Sequence, residues 1–292
     1  MWLKEILLVA FLITTSNTKS LNRRRRGACD DSQSAVIFLQ GMAPDFTLFT
    51  NFFTGPTMGL SFRYNTVRTP VPSTKYIDDS NFQKHWFSRD PATMKEELDD
   101  AMARIEREEI ENLIYEGICP ENIVIAGMSQ GGAVTIWMAL FSKYKLGGFI
   151  PMITSAGWLP VDLDAPGVMG RPKNKFSPIL HINGAHDWQT KDHDDAGRAE
   201  AFMKSIFPRY DFRVKPGTHG TTFNGLVIPE IVGWAKANTN LKFSLINPIA
   251  HSDLIAPITN VVNDLTAPIQ HGVSVVEGVA QDVLGNFVNF FG

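Results

Sequence analysis

Cysteine is scarce in this chain: Cys29 and Cys119 are the only two among 292 residues. Two thiols allow one bridge at most, so no disulfide-dense scaffold can be built. An excess of positive charge is also missing. The net charge of −3 argues against nucleic acid as a partner. The one basic run, Arg23 to Arg26, is short and isolated, which fits a solvated tail or a processing site. Long apolar runs are lacking as well. The apolar stretch from Ile6 to Ile13 is too short to span a bilayer, and no other segment approaches that length. No Asn-x-Ser/Thr acceptor occurs, and Lys and Arg do not appear from Ser244 onward.

What remains is the composition of a soluble globular protein, 44% hydrophobic and 20% charged, long enough for one sizeable α/β domain with an appendage. Residues 1–20 read as a signal peptide: Lys4, then the apolar core, then small polar residues, with cleavage after Ser16 or Ser20. Residues 21–34 form a basic N-terminal segment, 35–243 the folded domain, and 244–292 a C-terminal extension. A secreted protein is the expectation. In that extension Asp253-Leu254-Ile255-Ala256-Pro257-Ile258 recurs eleven residues on as Asp264-Leu265-Thr266-Ala267-Pro268-Ile269, and Ile269, Val273, Val276, Ala280, Val283 and Phe287 make an amphipathic ladder. It reads either as a lipid-interface or partner-binding segment, or as a helical extension packed on the domain. Without basic residues it suits anionic lipid poorly.

Within the domain, apolar runs alternate with helical periodicity. Strands are expected at 35–39, 62–67, 123–126, 148–153, 178–182 and 210–214, with helices at 91–116, 133–140, 197–206 and 229–237 and an irregular segment from 69 to 88. Alternation of this kind argues for a mostly parallel sheet with helices on both faces. The acidic residues of 91–116 read as its solvated face. If the strands at Val36 and Ile123 are parallel neighbours, Cys29 and Cys119 share one end of the sheet and can pair; the other reading is two buried thiols.

Chemistry concentrates at the carboxyl ends of the strands, where such sheets hold ligands. Gly127-Met128-Ser129-Gln130-Gly131 lies between strand and helix as a Gly-x-Ser-x-Gly turn, which lifts a serine hydroxyl into a cleft. The other reading of this turn is a glycine-rich loop that binds phosphate or nothing. Other strands end at Gln40-Gly41-Met42, at Asp187 and at His219. Ser129, Asp187 and His219 stand in the order nucleophile, acid, base: an imidazole accepts the hydroxyl proton, and a carboxylate fixes its tautomer. Asp192, Asp194 and Asp195 are rivals for the acid, and His181 reads as a core residue. A metal site from His186, Asp187, His193 and Asp194 is a weaker arrangement, because a single flexible loop rarely closes such a site.

Residues 35–238 resemble the phospholipase/carboxylesterase family of α/β-hydrolases, which includes acyl-protein thioesterases and lysophospholipases. The resemblance rests on Val36-Ile37-Phe38-Leu39-Gln40-Gly41, Trp86-Phe87, Gly127-Met128-Ser129-Gln130-Gly131-Gly132, Gly157-Trp158-Leu159-Pro160, Asn183-Gly184-Ala185-His186-Asp187 and Gly217-Thr218-His219. It implies an α/β-hydrolase fold and a catalytic Ser129, Asp187 and His219. It further implies an oxyanion hole from the N–H groups of Met42 and Gln130, hydrolysis of carboxylic esters or thioesters, and no metal or organic cofactor. Gln40, Trp86, Trp158 and Trp188 are expected at the substrate. Two residues depart from the family pattern: Gln40 stands where it has histidine, and Trp188 where it has proline. An exported enzyme would meet small-molecule or lipid esters; a catalytically weak lipid-binding protein and a polymer-ester hydrolase are the competing readings. The sequence carries no signal for oligomeric state.

Overall fold

The computed structural model describes residues 29–42, 60–61, 65–78, 83–88, 90–166, 172–191, 197–219 and 227–243. The signal-peptide reading, the basic run and the C-terminal extension lie outside them. Among the described residues the strands are β1 (Ser34–Leu39), β2 (Asn65–Arg68), β3 (Ser73–Asp78), β4 (Gln83–His85), β5 (Ile123–Met128), β6 (Gly148–Met152), β7 (Ile179–Gly184) and β8 (Tyr210–Lys215). Six form one sheet in the order β2-β1-β5-β6-β7-β8, with every pairing parallel. The expected α/β architecture is therefore the one found.

Strand composition follows position in the sheet. All residues of β1, β5, β6 and β7 are buried, as a central parallel strand covered on both faces requires. β8 at the edge is mixed and half-exposed. Alternate residues serve the two layers. Ala35, Ile37, Leu39, Ile123 and Ile125 pack with the helices α1 (Met94–Ile105), α3 (Gln130–Phe141) and α5 (Arg198–Ile206). Val36, Phe38, Val124 and Ala126 pack with α6 (Val227–Asn238). α3 is apolar on all sides because it is buried along nearly its whole length.

Three expectations need correction. The irregular segment 69–88 contains an antiparallel hairpin, β3–β4, with a register shift between Ser73 and Ile77. Its strands are short and polar and give no alternating signal. The single helix expected over 91–116 is α1, then a π-helical segment Glu106–Ile110, then α2 (Glu111–Tyr115). Nor are its acidic residues all solvated. Glu106, 5% exposed, accepts hydrogen bonds from Ser142 Oγ (2.8 Å) and the Lys143 N–H (2.9 Å) just beyond α3. Glu97 is also buried, accepting from Thr93 Oγ1 and from the Ser88 N–H.

β1 and β5 are parallel neighbours, with Ala35 opposite Ile123, and Cys29 and Cys119 are joined in a disulfide at their amino ends. A bridge closing 90 residues stabilises the fold by about 4.6 kcal/mol on chain-entropy grounds. No helix among the described residues is long and apolar enough to cross a membrane.

Candidate active site

The turn after β5 explains why its glycines are needed. A Cβ on Gly127 would lie 2.3 Å from the Gly131 carbonyl oxygen, and one on Gly131 would lie 2.1 Å from that of Leu39. Only hydrogen fits at either place. The compression leaves Ser129 at φ 52°, a region L-residues seldom adopt, with its side chain half-exposed at the start of α3.

The three residues expected to converge do so. Ser129 Oγ lies 3.0 Å from His219 Nε2, and His219 Nδ1 lies 2.9 Å from Asp187 Oδ2. A carboxylate only accepts, so Nδ1 carries the proton and Nε2 is left to accept from the serine hydroxyl. Asp187 is fully buried, and its other oxygen accepts the N–H groups of Gln189 (3.1 Å) and Thr190 (3.3 Å) at the start of the short helix α4 (Trp188–Lys191). Of the alternative metal set, Asp187 is turned to His219 and His186 is exposed, while His193 and Asp194 lie outside the described residues. Among the described residues one cluster has metal-ligand spacing, Cys29, Asp31 and Cys119, but its two sulfurs are bonded to each other.

The turn Gln40-Gly41-Met42 passes directly over Ser129: a Cβ on Gly41 would lie 3.1 Å from Ser129 Cβ. Gln130 opens α3, where the first N–H groups of a helix have no intrahelical acceptor and the dipole favours negative charge. Its side chain has a job of its own. Gln130 Oε1 accepts the Trp86 N–H (3.0 Å), while Nε2 donates to the Phe87 carbonyl (3.1 Å) and lies 3.4 Å from His85 Nδ1. One residue thus ties the end of the β3–β4 hairpin to the serine turn.

Two of the residues expected at the substrate are placed elsewhere. Trp86 is 1% exposed. Its indole N–H donates to the Gln40 carbonyl (2.7 Å), and the Arg104 guanidinium lies over its ring at 5.4 Å. It supports the Gln40–Met42 turn from behind. Gln40 is likewise buried, and its Oε1 has no hydrogen-bond partner among the described residues. Trp158 does lie at the site, half-buried, with its ring centroid 6.1 Å from that of His219 and its indole N–H donating to the Gln189 carbonyl (3.2 Å). Trp188, next to Asp187, is 57% exposed. His181 is the core residue expected, and burial lowers its pKa to about 4.

Residues 28–225 match the model of the phospholipase/carboxylesterase family. The chain belongs to that family. Relatives of this phospholipase/carboxylesterase chain include acyl-protein thioesterase 1 of Kluyveromyces lactis, 40% identical over 78 residues, covering 27% of this chain and 33% of that one. Carboxylesterase SOBER1 of Arabidopsis thaliana is 31% identical over 128 residues, covering 44% and 53%. The matched segments thus span about a third to a half of these relatives. The crystal structure of SOBER1 shares the fold, with a TM-score of 0.56 at 20% identity over 70% of this chain and 99% of that one. Hydrolases of the esterase and thioesterase type are therefore this chain's kin.

Proposed function

We propose that this protein is an exported serine hydrolase that cleaves carboxylic esters or thioesters through an acyl-enzyme on Ser129. The observation that carries the reading is the chain of two hydrogen bonds, 3.0 Å from Ser129 Oγ to His219 Nε2 and 2.9 Å from His219 Nδ1 to Asp187 Oδ2. As Oγ attacks the acyl carbon, its proton passes to Nε2, and Asp187 stabilises the imidazolium without taking the proton. The tetrahedral oxyanion faces the N–H groups of Gln130 and Met42, each such donor contributing about 3 kcal/mol. Collapse expels the alcohol or thiol, which leaves with the proton from Nε2. Water then repeats the sequence and frees the acid and Ser129. Trp158, whose ring lies beside His219, and the exposed Trp188, which follows Asp187 in the chain, are the residues assigned to the substrate.

Export rests on the N-terminal apolar segment, and the Cys29–Cys119 bridge supports an oxidising compartment. Outside the cell, small-molecule esters and lysophospholipids are the substrates within reach. The deciding experiment is labelling with a fluorophosphonate probe. Wild type is expected to react and Ser129→Ala to lose both labelling and about 10⁶-fold of kcat. Folded wild type that takes no label would sink the reading. The Oε1 of Gln40, which has no partner among the described residues, favours a second reading, a catalytically weak lipid-binding protein. Ordinary turnover of nitrophenyl esters would discard it.

A further inference from the structure

Among the described residues, two besides glycine have positive φ: Ser129 at 52° and Ile153 at 43°. The serine turn accounts for the first. The second is β-branched, and such a conformation costs about 1–3 kcal/mol unless its surroundings enforce it. The two are linked: the Ser129 N–H donates to the Met152 carbonyl (2.9 Å), and the Ile153 N–H to that of Ile182 (2.7 Å).

Beyond Ile153 a side chain replaces the strand partner. Asn183 Oδ1 accepts the Thr154 N–H (3.0 Å), and Asn183 Nδ2 donates to the Thr154 carbonyl (2.8 Å). The same carbonyl lies 2.8 Å from His181 Nε2, which must donate, so Nδ1 accepts from the Tyr210 hydroxyl at 2.5 Å. Thr154, Asn183 and His181 are all buried. The clamped segment lies against the first turn of α3, where a Cβ on Gly132 would come within 2.8 Å of both the Met152 oxygen and Thr154 Cγ2. Whatever fixes residues 153 and 154 therefore fixes the bed on which the turn carrying Ser129 and Gln130 is seated.

We propose that Asn183 is a positioning residue: its amide, backed by His181 and Tyr210, holds the Ile153–Thr154 backbone and thereby aligns Ser129 with the Gln130 N–H. The proposal rests on the hydrolase reading of Ser129. Asn183→Ala is expected to lower kcat for nitrophenyl acetate about 10- to 100-fold, as small misplacements of reacting groups do, with KM within about twofold. Hydrogen exchange over residues 127–132 should rise in the same variant.

Asn183→Asp keeps the side-chain volume and guards against a folding failure. Its ionised carboxylate can accept from Thr154 N–H but repels the Thr154 carbonyl, whereas the protonated form can do both. The ratio of variant to wild-type kcat should therefore climb several-fold as pH falls from about 8 to about 5.5, because burial raises a carboxyl pKa. The titratable groups around it, His181 on β7, Tyr210 on β8 and Glu200 on α5, are common to both proteins, and His181 stays neutral down to about 4. A kcat for Asn183→Ala within about twofold of wild type, a flat ratio for Asn183→Asp, or unchanged exchange over 127–132 in either folded variant overturns the proposal. The exchange measurement needs no turnover, so it judges the clamp even if wild type proves inactive, an outcome that would count against the reading of Ser129 alone.

Discussion

The turns after β5 and β6 sit side by side and share a backbone oddity, yet they are built by opposite means. After β5, Ser129 is forced to positive φ by its own neighbours in sequence: Gly127 and Gly131 let backbone carbonyls approach where any Cβ would collide. After β6, Ile153 has no glycine beside it. It is held by hydrogen bonds from Asn183 and His181 to the next residue, Thr154, side chains that arrive from β7. Strain in one turn is enforced locally by space, and in the other remotely by polar partners. The first kind leaves a motif in the sequence and the second does not.

Substitutions that tell the two apart follow, the strongest first. Gly131→Ala places a Cβ 2.1 Å from the Leu39 oxygen, and backbone cannot yield as a flexible side chain can. We expect a stability loss of about 3 kcal/mol in urea titration, from overpacking. Fluorophosphonate labelling of whatever folds should slow about 100-fold, the effect of displacing the proposed nucleophile.

The turn after β6 should instead respond to acid. His181 has its pKa lowered to about 4 by burial, whereas in the unfolded chain it titrates near 6.5. Between these values the unfolded state binds more protons, so stability falls as pH drops from 6.5 towards 4 and is flat above 6.5 where this residue is concerned. The loss between pH 6.5 and 5 should be about 2 kcal/mol, and His181→Gln should remove it. Equal pH slopes for wild type and variant in that window would contradict the assignment. The smallest effect belongs to Thr154, whose Oγ1 is buried with no partner among the described residues. Thr154→Val deletes that orphan at constant shape and should raise stability by about 1 kcal/mol. A loss of similar size would mean the hydroxyl has a partner after all.

What could be read in advance follows the same division. The parallel sheet, the serine turn and the order Ser129, Asp187, His219 are local signals: apolar runs, glycine spacing and strand ends. The β3–β4 hairpin was hidden because Ser73–Asp78 and Gln83–His85 are short, polar and interrupted by a bulge. Trp86 reads from sequence as a substrate residue because an aromatic in a long loop gives no sign of which way it turns. Its burial depends on the Gln40 carbonyl, 46 residues earlier, and on Arg104 from α1. Likewise the burial of Glu106 depends on Ser142 and Lys143, which lie far along the chain. Long-range polar pairing of this kind has no period for a single sequence to display.

Gln130 carries a practical consequence for anyone exchanging loops between members of this family. Its main chain opens the helix that follows Ser129, while its amide rivets residues 85–87 in place. A hairpin transplanted without a matching partner at position 130 would arrive unfastened, and one transplanted with it would carry a piece of the Ser129 turn along.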